Sequence, residues 1–191
     1  MKRISAAIAA TLAIGLSAPL FAAPETYKIE GNHTQPRFEY THMGYSTQVQ
    51  RFDKIAGTIT IDRAAKTGSV DVTIDAKSID TGNETFNGHL KGEDFFNVEK
   101  FPDITFKSSS MKFDGDKPSS IDGTLTIKGI SKPVTLTVTS FYCAPHPAFK
   151  KDACGANAFT KVKRSEFNMA KAVPLVSDEV TLYLPVESIK Q

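Results

Sequence analysis

A two-residue period in hydrophobicity, repeated through most of the chain, constrains its fold more than any other feature. Phe38, Tyr40 and His42 alternate with Arg37, Glu39 and Thr41, and Ile59 and Ile61 with Thr58, Thr60 and Asp62. Val70, Val72, Ile74 and Ala76 alternate with Asp71, Thr73 and Asp75, and Ile104 and Phe106 with Asp103, Thr105 and Lys107. The same holds for Leu125 and Ile127, for Val134, Leu136 and Val138, and for Val180, Leu182, Leu184 and Val186. Successive side chains on a strand point to opposite faces, so each segment has one apolar and one polar face. That is the pattern of an antiparallel sheet with one side in water. Turn residues separate the segments: Ala64-Ala65-Lys66-Thr67-Gly68, Asp114-Gly115-Asp116-Lys117-Pro118, and Gly129-Ile130-Ser131-Lys132-Pro133. The last of these predicts a short hairpin between the Leu125 and Val134 strands. Many short strands at this spacing predict an all-β sandwich or barrel. The outward faces carry Thr, Lys and Asp, whereas a membrane barrel needs apolar side chains facing out.

One stretch breaks the period. Asp80 and Thr81 are placed to cap a helix on which Phe86 and Leu90 lie four residues apart on one face. Gly92-Glu93-Asp94-Phe95-Phe96 reads as a second short turn. Residues 80–98 are therefore expected to close one end of the sheet structure, with Phe86, Leu90 and Phe95 as an apolar lid.

The first residues read differently. Lys2 and Arg3 precede an apolar run from Ile4 to Leu16, followed by Ser17-Ala18-Pro19-Leu20-Phe21-Ala22-Ala23. This has the three parts of a secretory signal peptide and is too short to span a bilayer as a stable helix. Leu20 and Ala22 suit the positions before a cleavage site, so 1–22 is expected to be removed, leaving 23–191 as one domain. No Cys follows the segment, which argues against a lipid anchor, and the expected compartment is the periplasm. Of 23 basic and 21 acidic residues in the chain, Lys2 and Arg3 leave with the segment, so the remainder has a net charge near zero. A neutral surface gives no electrostatic basis for binding nucleic acid. Cys143 and Cys154, in an exported chain, are expected to form a disulfide, worth roughly 3 kcal/mol for so short a loop. Cys-x-x-Cys spacing, which a redox role favours, is absent.

Motifs for chemistry are missing. The sequence contains no Gly-x-Ser-x-Gly elbow, phosphate loop or dinucleotide fingerprint. A zinc site needs three or four converging ligands, and His33, His42, His89 and His146 show neither helical i, i+4 spacing nor a Cys-x-x-Cys companion. Structural hydrogen bonding is the expected role of His33, His42 and His89, and His146, between Pro145 and Pro147, is expected in solvent. No metal or cofactor is expected.

Four blocks in fixed order resemble a known family. They are Tyr27-Lys28-Ile29 through Asn32-His33-Thr34 with Phe38 and His42-Met43-Gly44-Tyr45-Ser46; Ser78-Ile79-Asp80-Thr81-Gly82 through His89-Leu90-Lys91-Gly92-Glu93-Asp94-Phe95-Phe96-Asn97-Val98; Phe101 through Ser108; and Gly123 through Leu136. The chain is similar over nearly all of 23–191 to the YceI-like family of periplasmic, lipocalin-like, polyisoprenoid-binding proteins. The resemblance implies an eight-stranded antiparallel barrel with an open apolar lumen. There are departures: Phe86 and Asn87 stand where the family often has Arg and Asp, Gln50 where it often has Gly, and the segment with Cys143 and Cys154 is not common to all members. Arg164-Ser165-Glu166-Phe167 also resembles a family motif, whose Arg is expected to pair with a neighbouring acid at the rim or to contact a head group.

Together these readings predict a carrier of a polyisoprenoid or isoprenoid-quinone tail, performing no chemistry on it. The candidate contacts are Phe38, Tyr40, Ile59, Ile61, Val72 and Ile74, then Phe106, Leu125, Ile127, Leu136, Val138, Leu182 and Leu184, with Phe86 and Leu90 from the lid. Two alternatives stay open at this point: an enzyme acting on lipids or quinones with His33, His42 or His89, which a polar cluster deep in the lumen would favour, and a stress-response or interaction protein with a filled barrel. A second copy of the chain is also open as a partner, as a homodimer.

Overall fold

The alternating segments form antiparallel strands that close on themselves. The structure, a computed structural model, describes residues 23–191; the expected signal segment 1–22 lies outside the described residues. The strands are β1 (Glu25–Ile29), β2 (Arg37–His42), β3 (Ser46–Phe52), β4 (Ile55–Asp62), β5 (Thr67–Asp75), β6 (Ile79–Asp80), β7 (Asp103–Asp114), β8 (Lys117–Ile127), β9 (Ile130–Pro145), β10 (Asp152–Lys163) and β11 (Glu179–Lys190), with one helix, α1 (Glu84–Lys91). Neighbours run β1-β4-β5-β7-β8-β9-β10-β11, and β11 returns to β1, giving a closed eight-stranded antiparallel barrel. β11 pairs with β1 through Ser188–Lys190 and with β2 through Thr181–Tyr183. The β2–β3 hairpin, with β6 on its far edge, thus extends the wall toward the end where α1 lies.

Two ends of the barrel differ because bulges change which residues face inward. On β9 the inward set is Val134, Leu136 and Val138, but an extra residue at Thr139 shifts the pairing with β10, so Phe141 and Cys143 face inward beyond it. On β7 a bulge after Lys107 moves the inward set from Phe106 to Met111 and Phe113. A bulge inserts one residue and so reverses the alternation. Ile61 is only 5% exposed and pairs in register with Gly68. A Cβ on Gly68 would lie 2.7 Å from the Met111 sulfur, so glycine is required for that thioether to cross the interior. Met111, Ile61 and their neighbours fill this end. Cys143 and Cys154 are register partners on β9 and β10 and form the expected disulfide. They lie within the two strands, not in a loop. His146 is half-buried rather than free in solvent: its Nδ1 accepts the N–H groups of Ala148 and Phe149, closing the connection.

Local corrections have simple causes. The β8–β9 hairpin turns at Lys128-Gly129, both at positive φ, as the tight two-residue turn requires; Ile130–Pro133 already belong to β9. Asn83, not Asp80 or Thr81, caps α1, its side chain accepting the Phe86 N–H. The Asp80 carboxylate instead takes the Gly82 N–H and the Arg51 guanidinium.

Candidate functional site

Above the filled end the inward side chains do not meet. Phe38, Ile59, Val72, Ile74, Val134, Leu182 and Leu184 belong to the apolar interior yet are only half-buried. Packed interiors leave few voids larger than a water molecule, so partial exposure on inward faces means an open lumen. It encloses a cavity of about 420 Å³, inside the range typical of sites that enclose a small organic ligand. Of the expected contacts, Phe38, Tyr40, Ile59, Val72, Ile74, Phe86, Leu90, Phe106, Leu125, Ile127, Leu136, Val138, Leu182 and Leu184 line it. Ile61 does not: it shares Ile59's face but lies one step further along β4, in the packed end. The ring of Phe106 lies over Gly123, where a Cβ would come within 2.4 Å of it, so that glycine lets the aromatic lie flat on the wall.

The cavity opens at the α1 end. Nearly all of its exposed lining residues (His42, Met43, His89, Lys171 and Ala172) belong to the β2–β3 turn, α1 and the segment before β11. Asn87 is buried in α1 and accepts the Thr81 N–H, which fixes the helix to the chain entering it. Phe95 follows α1 and packs on the His89 ring, centroids 4.8 Å apart, and Phe86 stacks on the same ring at 6.1 Å. Phe96 meets Phe52 edge-on at 5.3 Å and Phe38 at 5.9 Å. The lid expected from Phe86, Leu90 and Phe95 is therefore present, with His89 and Phe96 added.

Two buried cations hold the mouth. Arg164 donates from Nε to the Ser177 carbonyl at 2.9 Å, from one terminal nitrogen to Lys171 O at 2.8 Å and to Met169 O, and from the other to Val176 O at 2.9 Å. It does not pair with an acid as expected: Asp178 instead accepts the Ser165 N–H and hydroxyl, each at 2.8 Å. Burial lowers the Arg164 pKa, while the nearby Asp178 charge works against that. Lys128, from the hairpin tip, donates to Glu93 O at 2.8 Å and Asn168 O at 2.9 Å, tying lid to mouth. The sequence offers no signal for it, since a Lys in a tight turn reads as solvated. Burial also raises the Tyr40 pKa, so its hydroxyl stays neutral beside Gln50, 3.5 Å away. The three histidines do not form one cluster. His42 and His89 are at the mouth, but His33 is not on the cavity wall and bonds Glu30 at 2.7 Å.

Known proteins share this architecture. The profile of the YceI-like domain family matches residues 27–188. "Protein YceI" of Salmonella arizonae is 38% identical over 173 residues, 89% of this chain and 90% of that protein. The crystal structure of Burkholderia cenocepacia BcnA superposes with a TM-score of 0.72 at 27% identity, covering 83% of this chain and 98% of that one. A polyisoprenoid binding domain from Saccharophagus degradans, implicated in plant cell wall breakdown, shares the fold with a TM-score of 0.61 at 13% identity over 86% of this chain and 98% of that one. With one profile spanning residues 27–188 and a relative 38% identical over 90% of its own length, the chain belongs to the YceI-like domain family.

Proposed function

We propose that this protein is an exported, periplasmic carrier that holds one long apolar chain, such as a polyisoprenoid or an isoprenoid-quinone tail, in the lumen and does no chemistry on it. The observation that carries this is the half-exposed state of apolar side chains facing a cavity of about 420 Å³. In water such a surface is costly, and an apolar ligand removes it from water. On the order of 400 Å² of buried ligand surface, at about 25 cal/mol per Å², gives a gross gain of roughly 10 kcal/mol, reduced by the ligand's lost freedom. The polyisoprenoid binding domain named above supports the choice of chain by likeness of fold. The disulfide supports export, because such bonds persist in oxidising compartments.

The placement of the polar groups favours binding over catalysis. The deep lumen is lined by Val, Ile, Leu and Phe, and Arg164 has four of its donor contacts committed to backbone carbonyls at the rim. The cavity itself counts against a filled barrel. Mass spectrometry of an organic extract of protein purified without detergent tests the proposal. A long-chain lipid at near-equal stoichiometry is the expected result; an empty extract, with no uptake of added polyprenol, overturns it.

A further inference from the structure

We propose that the rim of the mouth is a docking surface for a phospholipid bilayer, so that the cavity opens directly onto the membrane's apolar region; this rests on the lipid-carrier reading. Tyr45 is 88% exposed, Leu175 62%, Met43 49% and Val173 36%. These four lie on two neighbouring segments, the β2–β3 turn and the stretch before β11. The other large apolar side chains exposed among the described residues lie on other elements: Val49 and Tyr183 on the wall, Tyr142 and Phe149 toward the filled end. Contiguous exposed apolar surface on a water-soluble fold marks a site of contact with a partner or membrane.

The two segments form one platform. The Met43 N–H donates to Leu175 O at 2.8 Å, the Ser177 N–H to Thr41 O at 3.0 Å, and the Thr41 N–H to the Ser177 hydroxyl at 3.0 Å. Arg164 fixes the base of the second segment through the carbonyls described above. The platform is also continuous with the cavity, because His42, Met43, Ala172 and Val176 of the same segments line it. Charge points to the same occupant. Residues 40–52 and 167–177 contain no Asp or Glu, and Lys171 on the rim is met by Asp94 of the lid. No carboxylate on the platform itself therefore faces lipid phosphates. Tyr is also a residue that settles at a membrane–water boundary, its ring in the apolar layer and its hydroxyl wet. A carrier seated this way passes its chain between bilayer and lumen without exposing it to water, the step that the hydrophobic effect would otherwise oppose.

Flotation of the purified protein with vesicles of phosphatidylethanolamine and phosphatidylglycerol tests the surface, beside the double variant Tyr45→Ser, Leu175→Ser. Neither side chain lines the cavity and both are exposed, so the variant should keep its fold and its extractable lipid. The expected result is that the protein floats and that the variant's partition falls roughly tenfold or more. Equal flotation of the two, or no flotation of either, overturns the docking surface while leaving the carrier reading to its own extraction test. A concentration-dependent dimer in sedimentation velocity, lost in the variant and without flotation, also overturns it, assigning the platform to a second copy. Flotation through Tyr45 and Leu175 by a protein whose extract holds no lipid and which takes up no added polyprenol overturns the carrier reading and leaves the docking surface standing.

Discussion

The two ends of this barrel are made by the same strands and yet do opposite things. At one end, bulges in β7 and β9 reverse the alternation, so Met111, Phe113 and Phe141 join the apolar interior and a disulfide ties β9 to β10. At the other, unbroken alternation leaves two facing apolar walls apart, and α1 with its aromatic residues covers the gap incompletely. Composition does not distinguish the ends, since both are built from Val, Ile, Leu, Phe and Met. Local register does. One inserted residue decides whether a side chain adds to the floor or to the wall, and hence whether an apolar interior is a core or a binding site.

The comparison is broken most severely by a charge in the open half. Leu136→Asp puts a carboxylate on the apolar lumen wall, which should abolish lipid uptake and cost about 3 kcal/mol or more of stability. Denaturant unfolding followed by circular dichroism measures the second effect separately from the first. At the filled end, Cys143→Ser with Cys154→Ser should lower stability by roughly 3 kcal/mol through the unfolded chain and leave the amount of bound lipid unchanged.

A smaller and sharper contrast uses one type of change at both ends. Val138→Phe adds volume where there is room, so lipid capacity should fall with little loss of stability. Ile61→Phe adds volume to a packed floor, so it should cost about 1–3 kcal/mol while capacity holds. If the two variants behave alike, the ends are not different in packing.

How much of this was legible in the sequence follows from the same physics. The period-two pattern carried seven strands, β2, β4, β5, β7, β8, β9 and β11, and twelve of the thirteen strand residues expected on the wall, while Phe86 and Leu90 came from helical spacing and the closed eight-stranded barrel from the family resemblance. It failed for Ile61, because alternation gives the face of a residue but not its height along the barrel. β10 was not read as a strand: its inward set of Cys154, Ala156, Ala158, Thr160 and Val162 is small, and Phe159 faces the other way, so hydrophobicity hardly alternates. The bulges left no signal either, since a bulge is a shift between two strands and neither strand alone shows it. The mouth was legible only where the lid was aromatic. Lys128 and the carbonyl contacts of Arg164 depend on backbone brought together from distant segments.

The smallest expected effects come from pH, near the strand ends that close the ring. The Glu25 pKa is lowered, chiefly by its hydrogen bond from Lys190 and then by that from Tyr27. A carboxylate with a lowered folded pKa contributes stability that is present above its unfolded pKa and lost as pH falls through the folded value. Glu25→Gln should therefore lower Tm slightly at neutral pH, and the gap from the parent should close as the solution is acidified. Tyr27 works in the opposite direction. Burial, then the bond to Glu25, pushes its pKa up to about 12, so its contribution is whole below the usual tyrosine value and fades as pH rises toward 12. Tm measured against pH for Tyr27→Phe reads this as a difference from the parent that narrows in alkali.

The central claim, that one half of the interior is an open site for an apolar chain, is tested most directly by an experimental high-resolution structure of protein purified without detergent. The account predicts one continuous elongated density running from beside Leu136 and Val138 to the mouth between Met43 and Phe95, within van der Waals distance of the wall. Side chains of β5, β7 and β9 meeting across the axis, with no tunnel between them, would contradict it.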